Sequence, residues 1–130
     1  MSVLKEPQLF DYLKEFHYQD LKMADDQFSK YDCISDEHKL YIELKSRNTH
    51  YDDLLIEYIK YDAIIKAAKE LNYSSTYICA TPEGIWEFDL FLMGDLKWEE
   101  RWLPRNTEFS SAGNKTKLVG YLPVSKGKLL

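Results

Sequence analysis

Apolar positions along this chain follow two periods. Behind Pro7, Leu9, Phe10, Leu13 and Phe16 recur at helical spacing, which predicts an amphipathic helix over 7–16 with proline at its first position. From Asp20 the period shortens to two. A short strand is expected near 20–23, and Asp25 and Asp26 before Phe28 read as a turn. Residues 30–34 and 41–47 are rich in aromatic and β-branched side chains and flank the polar run 35–39, the pattern of a β-hairpin. In its second strand Leu40, Ile42 and Leu44 face one way and Tyr41, Glu43 and Lys45 the other.

A polar stretch, 48–53, then leads into a long and largely buried helix expected over 53–71. Asp52 and Asp53 suit its N-terminus, and Glu57 stands one turn before Lys60 and could pair with it. Residues 75–80 read as a buried strand. The order strand, helix, strand makes it a parallel neighbour of the strand that carries Glu43. A turn over 81–84 precedes a short strand at 85–88. Two further strands are expected at 96–103 and 117–122, stopped by Pro104 and Pro123, around a polar loop at 106–115.

The parity of the hairpin loop decides its chemistry. With an even loop, 37–38 or 36–39, Asp32 lies opposite Glu43 on one face; an odd loop turns Asp32 away. The even loop is the expectation here. Asp32 and Glu43 would then offer oxygen ligands to a hard divalent cation, completed by a backbone carbonyl and water. Lys45, about 6 to 7 Å along the strand from Glu43, could orient an attacking water or meet charge developing on a phosphate.

Asp32, the hairpin and Glu43-Leu44-Lys45 resemble the signature of the PD-(D/E)XK nuclease superfamily, although Tyr31 stands where the signature has proline. The resemblance covers roughly residues 28–80 and is greatest to small stand-alone nucleases common in phage genomes. It implies an α/β fold, a restriction-endonuclease-like αβββαβ core with a mixed sheet over about 7–88, followed here by a β extension over about 95–124. It implies a metal-dependent nuclease acting on nucleic acid, with DNA the preferred substrate over RNA, Mg²⁺ or Mn²⁺ on Asp32, Glu43 and the Leu44 carbonyl, and Lys45 and Lys60 as catalytic partners. Glu15 on the first helix is a further candidate ligand. Arg47, Tyr61, Lys115 and Lys117 are candidates for holding nucleic acid, as are the aromatic rings of Trp98, Trp102, Phe109 and Tyr121, although core packing or a dimer contact is the preferred reading of these rings.

Composition narrows the alternatives. The chain has 130 residues, 45% of them hydrophobic and 15% aromatic, as expected for one folded domain. No apolar run spans a bilayer and no signal segment opens the chain, so a cytoplasmic protein is expected, in the host cytoplasm if phage-encoded. Cys33 and Cys79 each lie in a strand-like run and read as buried thiols. The three histidines have no zinc-ligand spacing, and no glycine-rich phosphate loop is present. Net charge is −5, yet residues 101–130 hold six Lys/Arg against the single Glu108. The basic last quarter could meet phosphate while the acidic body opposes general polyanion binding. Two other readings compete: an inactive binding module of the same fold, and a junction resolvase acting as a homodimer.

Overall fold

The computed structural model describes residues 3–24, 32–104 and 114–130, with the backbone alone at 103, 104, 114 and 115. Asp25, Asp26, Phe28, Tyr31 and Phe109 lie outside the described residues. Helix α1 runs Glu6–Phe16, and Leu9 and Leu13 form its fully buried stripe. Lys14 closes the turn that follows, its Nζ donating to the carbonyls of Gln19 (3.2 Å) and Leu21 (2.9 Å). Strand β1, Lys22–Met23, pairs antiparallel with β2, Asp32–Ser35. A four-residue loop, 36–39, with Lys39 at φ 55°, leads into β3, Leu40–Ser46. The loop is even, and Asp32 pairs with Glu43 as its parity requires.

The expected helix over 53–71 divides in two. Its first five residues form strand β4, Asp53–Glu57, and only Tyr58–Leu71 are helical, as α2. Leu54 and Ile56 are buried, while Asp53, Leu55 and Glu57 alternate with them on the other face. That period of two is satisfied by an antiparallel partner, β8, over Asn114–Pro123. Asp52 and Asp53 therefore do not cap the helix; Glu57 occupies the N-cap position. At the other end Asn72 adopts the left-handed conformation, φ 60°, and its N–H returns to the Ala68 and Lys69 carbonyls.

Strand β5, Ser74–Thr81, runs parallel to β3 and antiparallel to β6, Gly84–Asp89. Strand β7, Glu99–Pro104, pairs with β8, and the short β9, Lys128–Leu129, returns to β6. The result is a mixed six-stranded sheet, β1-β2-β3-β5-β6-β9, beside a three-stranded antiparallel sheet, β4-β8-β7. The β extension is thus interleaved with the core: β4 leaves the core segment for the smaller sheet, and β9 comes back to the larger one. Gly127 permits that return, because a Cβ there would meet the Phe88 ring at 2.8 Å.

Each face of the large sheet has its own core. Cys33, Ile42, Leu44, Ile78 and Ala80 pack under α1. Tyr41, Tyr77, Cys79 and Phe88 face α2 and the small sheet, where Leu54, Ile56, Ile64 and Leu122 join them. The two cysteines are free, buried and on opposite faces. Among the described residues no helix is long and apolar enough to cross a membrane.

Candidate active site

Strand alternation places Tyr41, Glu43 and Lys45 on the α2 face of the large sheet, and the hairpin register adds Asp32. Asp32 is 1% exposed and Glu43 4%. The Tyr41 hydroxyl donates to Asp32 Oδ2 at 2.8 Å, a diagonal contact across the hairpin. Burial, and next the Asp32 charge, push the Glu43 carboxyl up to about 7, while Lys60 and Lys45 pull it back. The pull from Lys60 brings the start of α2 into the site. Burial and the neighbouring Arg47 hold the Lys45 ammonium below its usual pKa, against Glu6 and Glu43. Arg47 Nη2 donates to the Leu55 carbonyl at 3.1 Å, joining the end of β3 to β4. At the edge Lys117 pairs with Glu57 at 2.9 Å, which ties Glu57 across the small sheet.

Asp32, Glu43, Lys45, Lys60 and Arg47 thus come together, with Lys117 beside them through Glu57. The Leu44 side chain packs toward α1, leaving its backbone between Glu43 and Lys45. Glu15 is not brought in. It lies two positions past buried Leu13, about 200° around the helix, and is exposed on the opposite side of the sheet. Glu6 is the α1 carboxylate whose charge reaches Lys45; it stands three residues before Leu9, beside the buried stripe. Tyr61 also points elsewhere, since consecutive helical residues diverge by about 100°. Its ring packs edge-on against Trp98, centroids 5.1 Å apart, and Trp98 in turn covers Gly120. Trp98 is therefore a packing residue, whereas Trp102 is 68% exposed. The Lys115 side chain lies outside the described residues.

Tyr41 and Glu6 were legible only by parity and phase: Tyr41 shares a strand face with Glu43, and Glu6 flanks a helical stripe. Tyr41→Phe removes a donor to a buried charged acceptor, and a loss of about 1.5–3 kcal/mol in stability is expected by urea denaturation. An unchanged midpoint would mean that the hydroxyl does not hold Asp32.

A second group of ligand-type atoms, Asp20, Glu37 and His38, lies within 4.8 Å on the surface. Hydrogen bonds of the hairpin turn account for it. Asp20 accepts from Ser35 Oγ (2.7 Å) and from the Glu37 N–H (2.8 Å), and His38 Nδ1 lies 3.0 Å from the same Ser35 oxygen.

No family model, curated protein or solved structure matches this chain.

Proposed function

We propose that this protein is a metal-dependent nuclease that hydrolyses phosphodiester bonds in DNA. The carrying observation is the pairing of Asp32 with Glu43, both buried on the face that also holds Lys45 and within reach of the Lys60 charge from α2. The order of elements supports it: a helix, three antiparallel strands, a helix and a parallel strand, the order that the nuclease resemblance implies, with β4 inserted before α2.

The donor set fits a hard cation. Two adjacent buried carboxylates raise each other's cost of ionisation, which a bound dication of Mg²⁺ or Mn²⁺ type would relieve. Asp32 and Glu43, with the Leu44 carbonyl, would hold the ion. When bound, such an ion lowers the pKa of a coordinated water and polarises a phosphoryl oxygen. Tyr41 keeps Asp32 oriented. Lys45 and Lys60 present positive charge where the pentacoordinate phosphate gathers negative charge. Arg47 grips a flanking phosphate through its guanidinium.

Calorimetric titration with Mn²⁺ tests the reading. Wild type is expected to bind at pH 8 and progressively less as pH falls through about 7, because Glu43 must lose its proton to ligate. Asp32→Asn is expected to abolish binding. The near-complete burial of both carboxylates favours a second reading, an inactive module in which the same cluster is structural. Wild type that takes up no Mn²⁺, with or without a DNA strand present, would leave that second reading standing.

A further inference from the structure

A cleft of about 500 Å³ opens between the end of β3 and the small sheet. Its wall is formed by Arg47, Tyr51, Leu55, Arg101 and Tyr121. The register explains the assembly. Leu55 pairs with Tyr121 across β4 and β8, so both side chains share one face of the small sheet. Arg101 pairs with Lys117 on the next strand, which puts Arg101 on that face too. Arg101 Nη1 donates to the Tyr121 hydroxyl, which orients the guanidinium along the wall. Tyr51 stands at the mouth, 65% exposed. Leu54 and the exposed Asp52 and Asp53 complete the lining.

We infer that this cleft holds one unstacked nucleotide of a single-stranded nucleic acid, its base against Tyr51 and Leu55 and its phosphate on Arg101 and Arg47. The volume lies within the range of about 300–1,000 Å³ typical of small-ligand sites. An exposed tyrosine ring beside an aliphatic wall suits the face of a base, and two guanidiniums suit phosphate. The carboxylates of Asp52 and Asp53 repel phosphate, so the backbone of the strand is confined to the arginine side. Arg47 ties the cleft to the proposed active site. Its charge acts on Lys45, while its Nη2 reaches the Leu55 carbonyl in the cleft wall. A nucleotide seated here therefore sets a neighbouring phosphodiester toward Lys45, a consequence that rests on the nuclease reading. A duplex must unstack and unpair a base to fill the cleft, and a single strand need not. The preference is thus for single strands.

The experiment is fluorescence anisotropy with a short labelled single strand and the matching blunt duplex, in EDTA so that nothing is cleaved. Wild type, Tyr51→Ala and Arg101→Gln are compared, and each is titrated with Mn²⁺ in a separate calorimetric run free of EDTA and of nucleic acid. The single strand is expected to bind wild type more tightly than the duplex does. Tyr51→Ala is expected to weaken the single strand about tenfold. Arg101→Gln should weaken it and lower the slope of log affinity against log salt by about one. Both side chains are exposed, and thermal unfolding checks that the variants keep their fold. Variants that bind the strand like wild type, or a duplex that binds as tightly, overturn the inference. Manganese separates the two claims. Strand binding lost in the variants with no Mn²⁺ uptake by wild type leaves the cleft and removes the nuclease. Mn²⁺ uptake with strand binding indifferent to Tyr51 and Arg101 removes the cleft alone.

Discussion

Replacing Glu43 with glutamine is expected to stabilise the folded protein at pH 8 and, in the same molecule, to remove its affinity for a divalent cation. The folded-state pKa of Glu43 is raised from 4.5 to about 7, by burial first and then by Asp32. Between those values the folded state binds a proton that the unfolded chain has released. Stability from this group is therefore fully present below about pH 4.5 and is lost as pH rises through about 7. At pH 8 the ionised carboxylate costs on the order of 3 kcal/mol. Glutamine keeps the shape and never ionises. Calorimetric melting of wild type and Glu43→Gln from pH 5 to 8 should show similar midpoints at pH 5 and a gap opening above pH 7. With a few degrees per kcal/mol for a domain of this size, a gap of roughly 5–10 °C is expected. A variant less stable than wild type at every pH would instead mean that Lys60 and Lys45 more than compensate the buried charge, and that the cluster is a structural ion network.

Loss of Lys45 is expected to separate binding from chemistry. Lys45→Met leaves Asp32 and Glu43 in place, so Mn²⁺ still binds, while cleavage of a DNA strand falls by about 10²–10³-fold, the usual effect of removing one group aimed at transition-state charge. Lys45→Arg sharpens the assignment. Arginine keeps the positive charge but does not give up its proton in proteins. Recovery of activity with arginine would assign Lys45 to charge stabilisation. No recovery, together with loss of the upper limb of the wild-type pH–rate profile, would assign it to proton transfer. The depressed pKa of Lys45, set by burial and Arg47, brings the proton-transfer role closer to neutral pH. Wild-type cleavage in Lys45→Met would remove Lys45 from the mechanism.

Much of the candidate site was legible because its elements are local. The hairpin is set by alternation within two short segments and by the parity of four intervening residues, so the pairing of Asp32 with Glu43 followed from counting. Parallel β3 and β5 followed from connectivity, since a helix between two strands carries the chain back to the same edge. Helix α1 and its buried stripe followed from a period that neighbouring residues alone display.

Other features were decided only in three dimensions. Residues 53–57 contain apolar side chains at 54, 55 and 56, compatible with a helix or a strand. Their choice of strand depends on β8, more than sixty residues away, whose unpaired backbone and apolar face they complete. Long-range pairing of this kind leaves no local trace. Helix phase was equally decisive. Glu15 and Tyr61 carry suitable chemistry but point along other directions of their helices, whereas Tyr41, less conspicuous in sequence, binds Asp32, and the charge of Glu6 is felt at Lys45. The cleft lined by Arg47, Tyr51 and Arg101 belongs to the same category, for it exists only where two sheets meet. Local pattern was enough to assign the carboxylates to neighbouring strands and to one shared face. Their depth of burial, and with it the push of the Glu43 carboxyl up to about 7, came from long-range packing, because desolvation is set by everything packed around a group rather than by its neighbours in the chain.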